Sequence, residues 1–386
     1  MTSFSVKNYK CLADVTLPLT PLHVIIGQND SGKTALLEAI LALHRSTNGP
    51  LENDFPSAWD GRELVYEKAV EKRVVLEGIF SGGSLKDELR YYLEVEFPES
   101  GRDCQAFDEY YMEQHLHSLA RHYQNGSRIS LRSNLDGGER QKLEQVAAEI
   151  GEAQLYRLDP KQMMIPAAID PTRKFRMDED GFGLATLLDD LLGYEPERFI
   201  RLRNDFINYY PQFQSVRIES ERAVRRQWTS PVRYAMGDAI GKGIYFESRQ
   251  GHRIRAEQAS DGAILFLGFL ALIHSPQPPK RLLIEEPERG VYPKRLEEVI
   301  ALLRRLSQDR QDLAPPQIIM TTHSPYLLSS FQPEEVTLLS RDPITDAVRA
   351  RPLRDAPHIQ DRLGGGEFYL GELWFNLSEE ELFADA

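Results

Sequence analysis

The chain has 386 residues, 41% hydrophobic and 27% charged, with a formal net charge of −13. That length buries one large core or two modest ones, and the acidic balance argues against a protein that grips a long stretch of nucleic acid by neutralising phosphates. No apolar run approaches the ~20 residues of a membrane helix, and the opening MTSFSVKNYK lacks the apolar centre of a secretory leader. Cys11 and Cys104 stand too far apart for a metal-ligand pair or a disulfide framework. A cytoplasmic protein without a membrane partner is expected.

In chain order, residues 6–9 and 22–26 read as strands, the second a continuous apolar run of the kind found in buried parallel sheets. Residues 34–43 have helical spacing, with Leu36, Leu37, Ile40 and Leu41 on one side. Residues 74–80 and 91–97 alternate like strands about Gly82 and Gly83; a polar helix over 139–150 and a strand over 155–158 follow. Residues 160–180, rich in proline and charge, read as a loop or lid, then 183–192 and 196–206 as helices. Strands are expected at 216–218, 243–246 and 253–256, and an apolar helix at 263–273. The last third alternates strand 282–284, helix 294–306, strand 317–321 and strand 336–339 before an acidic, helix-like tail. Strands alternating with helices imply an α/β fold around a largely parallel sheet.

Two basic runs stand out: Arg173, Lys174 and Arg176, and Arg222, Arg225 and Arg226 beside Trp228. A solvated helix face, or partners for Glu219 and Glu221, explains them better than a nucleic-acid patch does.

The chemistry begins at Gly27, Gln28, Asn29, Asp30, Ser31, Gly32, Lys33 and Thr34, which fit G-x-x-x-x-G-K-[ST] at every fixed position. Glycines let successive backbone N–H groups close around phosphate oxygens, Lys33 supplies a point charge for the β- and γ-phosphates, and the Thr34 hydroxyl is a ligand for Mg²⁺. The motif lies between an expected strand and an expected helix, whose N-terminus favours phosphate. ATP and Mg²⁺ are therefore the expected cofactors. Further on, the apolar run Leu282, Leu283, Ile284 ends in Glu285 and Glu286. The first carboxylate is placed to hold the Mg²⁺ shell and the second to polarise an attacking water. Glu stands where Asp is usual, and its longer arm suits contact through water. At the end of another apolar run, His323 is placed to sense the γ-phosphate.

Ser260, Asp261 and Gly262 open the apolar helix that precedes these acids. Here the chain resembles the RecF/SMC/OLD-like branch of ABC-type ATPases. In that branch a Ser-x-Gly element caps the γ-phosphate bound by a second subunit, which the resemblance assigns to Ser260 and Gly262. Glu288, Arg289, Gly290, Val291, Tyr292 and Pro293 are similar to its D-loop, with Arg289 and Tyr292 as departures, and residues 6–10 resemble the first strand of these heads, which implies a place near the nucleotide for Lys10. Residues 155–211 resemble the family's lid, with Gln162 the candidate for its Q-loop glutamine. The expected fold is a P-loop NTPase of ABC ATPase-head type, with an added antiparallel β region and a helical lid. A single head spans 1–386, with an insertion at 46–258, a signature, carboxylate and histidine lobe at 259–340, and a tail at 341–386. The resemblance implies a homodimer that sandwiches ATP, able to build higher oligomers.

The span from residue 35 to residue 259 is too long for a transporter motor and lacks the heptads of a full SMC arm and the Cys-x-x-Cys of a zinc hook. In residues 324–386, Asp342, Asp346 and Asp355 have the wrong spacing for a Toprim nuclease. Two readings remain. The chain is an ATPase switch controlling a separate effector protein such as a nuclease, as in antiphage defence, or a RecF-like DNA-binding ATPase of repair. The acidic balance favours the first.

Overall fold

In the first strand, β1 (Ser3–Tyr9), Phe4 and Val6 are fully buried between more open neighbours, the period-two pattern of a sheet with one covered face, and left-handed Asn8 (φ 57°) shifts the alternation so that Tyr9 is buried as well. This computed structural model describes residues 1–47, 62–81, 88–97, 105–112, 115–119, 137–226, 235–291, 295–308, 314–356 and 370–376. Trp228, Gly82, Gly83, Cys104, Tyr292, Pro293 and Lys294 lie outside them. The chain divides into two units: Met1–Leu155 with Pro279–Leu283 and Gln317–Ala386, and Tyr156–Pro278 with Ile284–Pro316.

In the first unit, β1 and β2 (Leu12–Pro18) form a hairpin. Next, β3 (Leu22–Ile26) runs into helix α1 (Lys33–Arg45). Then β4 (Arg73–Phe80), β5 (Leu89–Glu96), β6 (Gln105–Met112) and β7 (His115–Leu119) extend the hairpin into an antiparallel sheet of order β2-β1-β4-β5-β6-β7. Helix α2 (Gly137–Ile150) leads to β8 (Ala153–Tyr156). The second sheet has the order β16-β15-β3-β14-β13-β8, completed by β13 (Arg281–Glu285), β14 (Gln317–Thr322), β15 (Val336–Arg341) and β16 (Val348–Pro352). Its centre is parallel: β3 pairs in parallel with both β14 and β15, while β16 is antiparallel.

Helix α1 was expected to bury one face. Instead nearly every residue of it is buried, because it shares one core with Val6 and Leu76 of the first sheet and Ile25, Ile319 and Leu339 of the second. Short helices α8 (Pro325–Leu328) and α9 (Leu370–Asn376) also belong to this unit.

The second unit holds α3 (Pro160–Met163), β9 (Ala167–Ala168), α4 (Leu184–Tyr194), α5 (Pro196–Tyr209), β10 (Phe213–Arg225), β11 (Ala235–Ser248), β12 (Arg253–Arg255), α6 (Asp261–His274) and α7 (Leu296–Gln308). Helix α6 is apolar all round and buried from Ala263 to His274 against α3, α4, α5 and α7. Phe206 and Phe213 stack on Phe246 with ring centroids 5.4 and 4.8 Å away, joining α5 to the β hairpin.

Here the sequence expectations need two corrections. The short strands at 216–218 and 243–246 are the middles of a hairpin of 13 and 14 residues. Arg222 and Arg225 therefore lie on a strand and not on a helix face. Nor do the basic residues serve Glu219 and Glu221, which pair across strands with Arg253 and Arg255. Among the described residues, no helix is long and apolar enough to cross a membrane.

Candidate nucleotide site

The phosphate-binding motif occupies the turn between β3 and α1. Asp30 has φ 65° and Gly32 φ 90°, so two left-handed residues within three positions fold the backbone back on itself. The space left is small. A Cβ at Gly32 would meet Val348 Cγ2 at 2.9 Å and Cys11 Sγ at 3.0 Å, and one at Gly27 would collide with the Leu339 carbonyl and Ser31 Oγ. Only glycines fit this cradle. Lys33, 7% exposed, donates from Nζ to the carbonyls of Gly27 (2.8 Å) and Gln28 (2.7 Å), so the ammonium already lies over the loop. Ser31 Oγ is buried with no hydrogen-bond partner, a state that costs stability unless a polar group fills it.

A triphosphate fits these features. It supplies acceptors for the loop's N–H groups and for Ser31, and a counter-charge for Lys33. Mg²⁺ fits the donor chemistry of the loop, since Thr34 offers a hydroxyl oxygen, and Mg²⁺ usually takes only one or two protein ligands beside phosphate and water.

His323 follows the last residue of β14. Thr322 is in register with Ile26, so His323 leaves its strand where Gly27 leaves β3, and the ring is exposed there. Ligands of open α/β sheets bind at this carboxyl edge of the parallel strands. Lys10 sits at φ 51° in the β1–β2 turn and is ion-paired with Glu38, a buried acid of α1. Its ammonium thus neutralises the helix that follows the cradle.

In the second unit, Glu285 ends β13 and accepts from Arg157 Nε. Glu286, partly buried, has φ 48°, a conformation that costs a non-glycine residue about 1 kcal/mol or more and that concentrates at functional sites. Ser260 caps α6, accepting from the Ala263 N–H at 3.4 Å. Gly262 lies in the first turn, where a Cβ would find only Gly290 O at 3.6 Å and Tyr210 Oη at 3.7 Å. That is ordinary contact, so nothing within this unit demands a glycine there. Gly290, of the expected D-loop, packs beside the same helix start.

Two arginines carry roles that sequence patterns do not show. Arg157, just after β8, bridges Glu285 and Glu179. Arg226, 9% exposed at its side chain, donates to Asp178, Asp180 and Gln162 and lies 4.2 Å from the Phe182 ring centroid. Gln162 therefore faces Arg226, and the residue that reaches the Glu285 carboxylate from the segment after β8 is Arg157.

The model of the family described as "AAA domain, putative AbiEii toxin, Type IV TA system" matches residues 22–329, and the chain belongs to that family. It is an ABC-type ATPase of the RecF/SMC/OLD-like branch. It is similar to an OLD nuclease of Thermus scotoductus, 23% identical over 412 aligned positions that cover 98% of this chain and 69% of that protein. Among solved structures it resembles an SMC head bound to the C-terminal winged-helix domain of ScpA, with a TM-score of 0.56, 15% identity and coverage of 92% of this chain and 98% of that one. It also resembles the SMC head with extended coiled coil from Pyrococcus furiosus, bound to the C-terminal domain of ScpA, with a TM-score of 0.53, 12% identity and coverage of 94% and 99%. These likenesses show the α/β P-loop fold of ABC ATPase heads.

Proposed function

We propose that this chain binds MgATP and hydrolyses it at a head-to-head homodimer interface, as the ATP-driven switch of a system whose output is a separate effector protein. The observation that carries the reading is the cradle from Gly27 to Thr34, where neither glycine leaves room for a Cβ and a buried, unmatched serine hydroxyl stands beside a buried lysine. Its N–H groups and Lys33 bind the β- and γ-phosphates. Mg²⁺, when bound through Thr34 and Glu285, supplies charge neutralisation on the phosphates. Glu286 orients the attacking water and takes its proton, and His323 contacts the γ-phosphate.

The dimer follows from the other half of the motif set. Ser260 and the first N–H groups of α6 form an anion-favouring helix start, and Gly262 keeps that start open to a group from outside the chain. A site shared by two subunits makes ATP a control on dimer population. The effector is supported by kinship alone: one relative is named for nuclease activity, and the SMC heads are bound to another protein's domain. A nuclease under ATP control, in antiphage defence, is the form this takes.

Light scattering tests the first part. Glu286→Gln is expected to accumulate a dimer in MgATP, and Ser260→Arg to stay monomeric. If both behave as the parent chain does, the sandwich is refuted. A pull-down of Glu286→Gln from its native cell in MgATP tests the second part. A stoichiometric protein partner supports the switch, whereas co-purified duplex DNA and hydrolysis stimulated by DNA in a salt-dependent way replace it with a RecF-like role.

A further inference from the structure

Residues 157–182 leave β8, run out through α3 and β9 and return beside their own start. Arg157 N–H donates to the Glu179 carbonyl at 2.8 Å and Asp159 N–H to that of Asp180 at 3.0 Å, so the segment closes on itself as a flap whose two ends are joined at the root. Its outer part is held by β9 pairing with β10 and β11 and by the Phe175 N–H on Asp190, and three side chains fasten it further. Arg226 holds Asp178, Asp180 and Gln162. Met163, fully buried, is wedged between Gly181 and Gly268 so tightly that a Cβ on either would overlap it. Arg157, at the root, donates to Glu285 and pairs with Glu179 at 3.0 Å.

Gly268 lies on α6, the helix whose first turn carries Ser260 and Gly262. One side chain thus ties the flap to the acid of the ATP reading, and another keys the flap into the signature helix.

Resting on that reading, we infer that Arg157 is a positioning residue that competes with the divalent cation for Glu285 and transmits the cation's arrival, through the flap, to α6. The competition is direct. The guanidinium occupies an oxygen of the carboxylate that the ATP reading gives to the Mg²⁺ shell, and two cations on one carboxylate repel. When the ion takes Glu285, Arg157 keeps Glu179, and the flap root moves with it. The Met163 wedge carries the displacement to Gly268 because a close-packed contact cannot absorb it.

The test uses mant-labelled ATP fluorescence during Mg²⁺ titration and, in parallel, trypsin cleavage at Lys161, Lys174 and Arg176, all exposed on the flap. A non-hydrolysable ATP analogue is used for the cleavage. Arg157→Ala is expected to lower the Mg²⁺ concentration for half-maximal binding by about fivefold, the scale of a half-exposed ion pair. The parent chain's flap is expected to be cut about threefold faster with Mg²⁺ than with EDTA, a ratio set by the same pair, and Arg157→Ala to lose that difference. Arg157→Lys restores both behaviours in part. Glu179→Gln keeps the parent's Mg²⁺ midpoint but loses the cleavage response, which separates competition from transmission.

An unchanged Mg²⁺ midpoint in Arg157→Ala overturns the competition, and an unchanged cleavage ratio overturns the transmission, with the ATPase reading intact in both cases. A parent chain that binds no mant-ATP at any Mg²⁺ concentration sinks the reading and the inference together.

Discussion

Replacing Gly262 by alanine separates the needs of the fold from those of the proposed ATP switch. A glycine inside a helix costs roughly 0.5–1 kcal/mol relative to alanine through the freedom it loses on folding. Position 262 is in the first turn of α6, and a Cβ there would meet only Gly290 O at 3.6 Å and Tyr210 Oη at 3.7 Å, distances at which nothing is compressed. Partial burial of the added methyl contributes at most ~0.8 kcal/mol more. Gly262→Ala is therefore expected to fold normally and to resist urea better by about 0.5–1 kcal/mol at 25 °C.

The same methyl projects from the helix start that is to receive a phosphate bound by a second copy, where the backbone must approach within hydrogen-bond distance. There it is expected to weaken MgATP-driven dimerisation of the Glu286→Gln background by tenfold or more, equivalent to ~1.4 kcal/mol. Binding of mant-ATP to the isolated chain should not change. Urea unfolding, light scattering and fluorescence read the three quantities independently. A stable Gly262→Ala protein that dimerises and hydrolyses like the parent refutes the shared site. One that loses more than about 1 kcal/mol of stability refutes the claim that the space is open.

The opposite balance is expected at Gly32→Ala. Left-handed strain of about 1–2 kcal/mol and overlap with Val348 and Cys11 of about 1–3 kcal/mol destabilise the fold, so urea unfolding and mant-ATP binding fail together. The pH dependence of stability is expected to follow two buried histidines. His23, bonded to Thr337 Oγ1 at 3.0 Å, is held by desolvation down to about 3 from its ordinary 6.5, and His44 is pushed well below its ordinary value by the same cause. The unfolded chain binds protons that the folded chain refuses. Their contribution is therefore complete above pH 6.5 and falls as pH drops below it, for His23 by roughly 1 kcal/mol at one unit below the unfolded value. Urea midpoints from pH 8 to 5 check this: a His23→Gln variant whose midpoint falls with pH as steeply as the parent's refutes the assignment.

Much of the phosphate cradle was legible because each step rests on local chemistry. An apolar run of strand length, glycines in a turn and a helical period name β3, the loop and α1 without tertiary information. The start of α6 was equally readable, since Ser260 is a good N-cap before an unbroken apolar helix. The long hairpin was not. Its outer positions carry Arg217, Glu219, Glu221 and Arg222, and alternating charges read as loop or helix surface until cross-strand partners are known. Those partners, Glu247, Arg253 and Arg255, come from β11 and β12. The same limit hid Arg157 and Arg226. An arginine after a strand carries no signal of its own, and its meaning comes from acids far along the chain. Glu285 was foreseen as an end-of-strand acid, and its arginine partner was not.

Some of the local costs borne by the chain fall at the motifs, while others, such as left-handed Asn8, Phe175 and Asp346, lie elsewhere. Asp30 and Glu286 sit in left-handed backbone, Ser31 buries a hydroxyl without a partner, and Gly262 weakens a helix that has room for alanine. Each feature costs on the order of 1 kcal/mol, a sizeable part of a net stability of about 5–15 kcal/mol, and each could be removed by one substitution. At Gly262 no described contact requires the side chain to be missing. Local rules broken without an internal return are expected where the return comes from a bound group. On the proposed reading a nucleotide phosphate would answer the cost at Ser31, and a second copy of the chain that at Gly262. Motif matching and energetic cost are independent signals, one read from residue types and the other from backbone angles and empty space. Where they coincide, in the loop from Gly27 to Thr34 and at Gly262 and Glu286, they support the proposed switch together.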